Sequence, residues 1–206
     1  MAFVKKDLEN AISAVFSSMG SSGDNSVFYN GITNAIVAFV LTGDVSTQDG
    51  GTVPTGVFTG SGTGKLTVTA TKCAKIIKDA CDLMKDSAHG DDFLAEEIGK
   101  GIQQMADDGT VATTVTGECV TPQGSTIAPY GGLATGSISC DSSSLVASLK
   151  STFAEMYSKK SVKGYDGNAE FASALADAVY DFWTSGIIST SGEGNIEGSS
   201  GAGTIS

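Results

Sequence analysis

The chain has 206 residues, 40% of them hydrophobic, with 27 glycines, 3 prolines, and 23 acidic against 12 basic side chains for a net charge of −11. The apolar content excludes wholesale disorder, the acidic balance disfavours nucleic acid as a partner, and no apolar run approaches the ~20 residues of a membrane helix. The N-terminus, Met-Ala-Phe-Val-Lys-Lys, passes at once into a polar periodic segment, so no secretory signal is read.

The first element is an amphipathic helix with Leu8, Ile12, Phe16 and Met19 on one face. A polar loop, GSSGDNS, offers Asp24 or Ser26 as N-cap for a second helix carrying Phe28, Ile32, Ile36 and Phe39. Gly43 then predicts a left-handed C-cap, and Val45-x-Thr47 starts a strand because β-branched residues dominate it. A Gly/Ser/Thr-rich stretch follows and closes on Gly64-Lys65-Leu66-Thr67.

The same order then recurs. Cys73, Ile77, Cys81 and Met84 precede the loop KDSAHGDD, with Asp91 or Asp92 as cap. Leu94, Ile98, Ile102, Met105, Gly109, Val111 and Thr113 repeat the second helix, its stop and the strand start, and Gly136-Ser137-Ile138-Ser139 closes the unit. The third pass runs Leu145, Leu149, Phe153, Met156, then the loop KKSVKGYDGNAE with Asn168 as cap. It continues through Phe171, Leu175, Val179, Phe182, Gly186, Ile188 and Thr190 to Gly203-Thr204-Ile205-Ser206. Eight residues before each stop glycine stands a small residue, Ala35, Gly101 or Ala178.

These observations predict an α+β fold of three tandem repeats, 1–70, 71–140 and 141–206. Each is an α-helical hairpin followed by a Gly/Ser/Thr-rich β-hairpin. One unit buries too little surface to stand alone, so the apolar faces pack across units. Two arrangements stay open: a pseudo-threefold cluster with helices inside and ribbons projecting, or a linear stack.

GSGTGKLT, residues 60–67, resembles a phosphate-binding loop, G-x-x-x-x-G-K-[ST], but departs from it. Thr59 stands where the first glycine belongs, Leu66 replaces the magnesium-binding hydroxyl, and Leu66 to Thr69 is strand-like where a helix should begin. Ser137 and Thr204 replace Lys65 in the other units, so the lysine is read as incidental to one copy and the glycines as closing a structural hairpin. Asp166, Asn168 and Glu170 alternate like the start of a calcium loop, but Phe171 stands where its glycine is needed and no Glu closes it. His89, the only histidine, lies near Ser87 without a G-x-S-x-G motif and is read as a loop residue. Glu96, Glu97, Asp107 and Asp108 read as solvated helix acids. Trp183 is read as partly buried in a local cluster, with an exposed partner anchor as the alternative. Cys73 and Cys81 sit too far apart on one helix to bond, whereas Cys119 and Cys140 are compatible with a bridge across a hairpin. No C-x-x-C pair occurs, so no zinc site is expected. No catalytic, cofactor-binding or metal-ligating residue is assigned, and neither an enzyme nor a cofactor is expected.

The phrases FASALADAVYDFWTSGIIST and FYNGITNAIVAFVLTGDVST, each followed by a glycine-rich ribbon, resemble small virion structural proteins of tailed bacteriophages. The resemblance implies a non-enzymatic role in a virion, made in the host cytoplasm and assembled with other virion proteins, with the chain itself a homo-oligomer. A neck, tail or baseplate position and a capsid decoration site between three capsomers are both compatible with it. A soluble binding module using the ribbons as ligand loops, and a nucleotide-binding enzyme built on Lys65, are the alternatives from other classes.

Overall fold

The computed structural model describes residues 3–19, 25–86 and 90–206. Six helices and six strands alternate in pairs: α1 (Lys5–Met19), α2 (Asn25–Val40), β1 (Val45–Val53), β2 (Gly56–Thr67), α3 (Thr71–Asp86), α4 (Asp91–Asp107), β3 (Thr110–Val120), β4 (Thr126–Ser139), α5 (Ser143–Lys159), α6 (Gly167–Thr184), β5 (Ile187–Gly192) and β6 (Ser199–Ile205). Each helix packs on its chain neighbours and α6 returns to α1, so the helices form a closed ring.

The strands also close. Every neighbouring pair is antiparallel, and β6 pairs with β1 from Val45↔Ile205 to Gly51↔Ser199, completing a six-stranded barrel. This corrects the expectation of separate β-hairpins projecting with open edges. A lone hairpin leaves a row of N–H and C=O groups unpaired on each side, and joining β2 to β3, β4 to β5 and β6 to β1 satisfies them within the chain.

The core joins the two layers. α2, α4 and α6 lie deepest, burying Phe28, Ile32, Ile36 and Phe39, then Ile98, Ile102 and Met105, then Phe171, Leu175, Val179 and Phe182. Burying each such side chain contributes about 1.5–3 kcal/mol. The barrel adds its helix-proximal ring to the same cluster: Val45, Leu66, Val111, Ile138, Ile188 and Ile205. Tight helix packing explains one small residue, since a Cβ on Gly101 would lie 3.0 Å from the Cys73 sulfur of α3.

The stop glycines have a different reason from the one expected. None of Gly43, Gly109 and Gly186 has a positive φ, and the caps Asp108 and Ser185 are right-handed. What they supply is room. A Cβ on Gly43 would strike the Phe3 ring at 2.5 Å, and one on Gly186 would meet Ile138 Cδ1 at 2.6 Å and Cys140 Sγ at 2.7 Å.

The cap of α6 is also corrected. Asp166, not Asn168, accepts from the backbone N–H groups of Asn168 and Ala169, both at 3.1 Å. Ser26 lies inside α2, Asp91 and Asp92 fill the first turn of α4 behind Gly90, and Asp24 falls outside the described residues.

Candidate functional site

The barrel interior is banded. Beyond the apolar ring at its helical end stands a layer of Thr47, Thr113 and Thr190, all buried, interleaved with the inward-facing Gly64, Gly136 and Gly203. A Cβ on each of these three glycines would land on the backbone carbonyl oxygen of the next strand, that of Ala112, Ser189 or Ser46. Only glycine lets the strands approach so closely.

Asp49 comes next, 5% exposed and the one buried charged side chain among the described residues. Thr47 Oγ1 donates to its Oδ2 at 2.5 Å, and Thr190 Oγ1 donates to its Oδ1 at 3.2 Å. Counted from the stop glycines, Asp49 stands where Val115 and Gly192 stand in the later strands. Its carboxylate fills the notches over Gly62 and Gly201, where an added Cβ would press on Asp49 and on Thr47 or Thr190. Both carboxylate oxygens are therefore engaged by hydroxyls of the barrel interior. The chemistry of Asp49 is that of a buried acceptor held by two hydroxyls.

Past Asp49 a second apolar cluster, Val53, Phe58, Val115, Cys119, Ala134 and Ile196, closes the far end. Tyr130 of β4 ties two turns together there: Thr55 Oγ1 donates to its hydroxyl at 2.6 Å, and that hydroxyl donates to the Asn195 carbonyl at 2.8 Å.

The residues singled out in the sequence are dispersed. Gly60 to Thr67 is barrel wall in β2, and Lys65 is not incidental: its Nζ donates to Asp44 at 2.7 Å and to the Gly43 carbonyl at 3.0 Å, tying β2 to the end of α2. A cation there suits the negative end of the helix dipole. His89 lies outside the described residues. Glu170 faces Lys159, Glu96 receives Lys150 Nζ at 2.6 Å, Glu97 pairs with Lys100, and Asp108 pairs with Lys72 at 2.8 Å. Those lysines hold the Glu96 and Asp108 carboxyls below the usual range, chiefly by hydrogen bonding.

Trp183 is neither a surface anchor nor partly buried. It is fully buried, edge-on to Phe182 with ring centroids 5.3 Å apart, and its Nε1 has no acceptor among the described residues. Val40 and Ala106, at the same offset from Gly43 and Gly109, are also fully buried.

All four cysteines are free thiols. Cys119 pairs in register with Ile127 near the barrel's far end, whereas Cys140 follows Ser139 at the helical end, so a bridge between them is geometrically excluded. Burial pushes the Cys73 and Cys140 thiols up to about 12, which removes thiolate character at neutral pH. Among the described residues no group of three His, Cys, Asp or Glu side chains is placed to hold a metal ion, and no helix is long and apolar enough to cross a membrane.

No protein-family model matches the chain, and no curated protein or solved structure matches it significantly.

Proposed function

We propose that the chain is a non-enzymatic structural subunit of a tailed-bacteriophage virion, placed in the neck, tail or baseplate. In this reading it is three tandem copies of one helix-helix-strand-strand unit about a pseudo-threefold axis, assembled in the host cytoplasm with copies of itself and other virion proteins. The observation that carries it is the double closure of helix ring and barrel. Inside the barrel Thr47 and Thr190 are spent on Asp49 and Thr113 on the Ala134 carbonyl, and on the outer surface ion pairs such as Lys65–Asp44, Lys72–Asp108 and Lys150–Glu96 tie separate elements together. Such a body offers rigid outer faces for partners rather than an enclosed reaction site. A decoration protein seated where three capsomers meet is the second reading, favoured by the same threefold order.

The test is co-sedimentation of the purified chain with phage particles and with their separated heads and tails. Saturable binding to one fraction is the expected result. A lone monomer that binds neither itself nor any particle protein would refute the proposal.

A further inference from the structure

The basic residues are unevenly satisfied. All twelve are lysine, and ten of them, Lys5, Lys6, Lys65, Lys72, Lys75, Lys78, Lys85, Lys100, Lys150 and Lys159, form ion pairs within the chain. The two without an ion pair among the described residues are Lys160 and Lys163, both exposed and both in the α5–α6 loop. Beside them stand two of the most exposed large apolar side chains of the molecule, Tyr157 at 65% and Val162 at 60%. Lys160 Nζ lies 3.5 Å from the Tyr157 ring centroid, a cation–π contact in the open. On a chain of net charge −11, two lysines without an ion pair among the described residues, joined to exposed apolar surface, have the makeup of a docking surface.

The matching chemistry is on the same chain. At the barrel end of α5 and α6 a cleft of about 370 Å³ has an acidic rim of Asp141, Asp177 and Asp181 over an apolar floor of Leu145, Ala178 and Phe182. Asp177 pairs with Lys5 at 2.6 Å and Asp141 accepts from Ser143, while Asp181 makes no ion pair among the described residues and only adds its charge to the field at Lys5. The corresponding groove of the first hairpin, between α1 and α2, has a single acid, Asp7, among Val4, Leu8, Ala11, Ala35 and Ala38, against three in the α5–α6 cleft. A copy cannot fill its own cleft. Ser148 at the cleft and Lys159 at the loop are separated by roughly 16 Å of helix.

We propose that the α5–α6 loop of one copy, through Lys160, Lys163, Tyr157 and Val162, docks into the acidic cleft between α5 and α6 of a second copy. Exchanged reciprocally about a two-fold axis the contact closes a dimer, and repeated head-to-tail it builds a ring or a stack. The inference rests on the reading of the chain as an assembly subunit. The net charge of −11 disfavours nucleic acid or an anionic membrane as the occupant, whereas the cleft offers carboxylates above an apolar floor.

Sedimentation velocity of the full chain at low and high salt tests it. The wild-type chain associates in a concentration-dependent way, more weakly at high salt. K160E/K163E weakens association about tenfold or more with unchanged circular dichroism. D141K/D181K does the same, and mixing the two variants restores a mixed complex. The inference is overturned by a wild-type monomer throughout, by K160E/K163E associating normally, or by a mixture that does not pair. It is equally overturned if the loop charges control binding to duplex DNA or anionic vesicles while self-association persists. A monomer that still binds phage particles would remove this contact and leave the proposed function standing.

Discussion

The helical layer and the barrel interior solve the same packing problem with opposite means. The helices fill their shared core with Phe, Ile, Leu and Met, and the residues three before Gly43, Gly109 and Gly186 differ sharply: Val40, Ala106 and Trp183. The barrel, between its two apolar ends, has a layer in which Gly64, Gly136 and Gly203 admit no side chain at all. A ring of helices can absorb a volume change by shifting side chains. Six strands in hydrogen-bond register cannot.

That contrast predicts a ranked series. The largest loss falls in the barrel: Gly64→Val, Gly136→Val or Gly203→Val should each cost more than about 4 kcal/mol or prevent folding, because the clash is with backbone. Denaturant unfolding with a circular dichroism readout checks it, and a mild effect at all three sites would break the comparison. Trp183→Ala should come next, at about 3–5 kcal/mol, as cavity creation in the helical core. Trp183→Phe should cost clearly less, since it keeps an aromatic ring and removes an indole N–H that lacks an acceptor.

Asp49→Ala should cost about 1–3 kcal/mol by stripping Thr47 and Thr190 of their buried acceptor. A Thr190→Val partner in a double-mutant cycle should show coupling; strict additivity would contradict the hydrogen-bonded belt. Lys65→Ala should fall at or below about 1 kcal/mol, as an exposed pair. The smallest effect is acidic. Glu96 and Asp108 have folded-state values below the ordinary carboxylate range, so their contribution is present above that range and lost as pH falls through the depressed values. Glu96→Gln should flatten that limb slightly in a pH series of melting temperatures.

The same contrast explains what could be read in advance. Large apolar residues at helical spacing mark the buried faces of α2, α4 and α6 directly, and Val45-x-Thr47 and its counterparts mark strand starts. Barrel closure left a weaker signal, because pairing between β2 and β3 or β6 and β1 is a property of register across distant segments. The glycines carried that information, yet an isolated glycine reads equally as a turn, a cap or a close approach. Gly43 shows the ambiguity: its neighbours in space, Phe3 and Ile205, lie far from it in sequence. The full burial of Trp183 is hidden for a related reason, although buried positions at Val40 and Ala106 point to its place. That Lys160 and Lys163 alone form no ion pair among the described residues emerges only once the other ten lysines have met their acids.

The most direct test of the assembly-subunit account is quantitative mass spectrometry of purified tailed-phage particles whose genome encodes this chain, washed and separated into heads and tails. The account predicts its peptides at a fixed copy number in one fraction. Abundance in the infected-cell lysate with none retained on washed particles would contradict it.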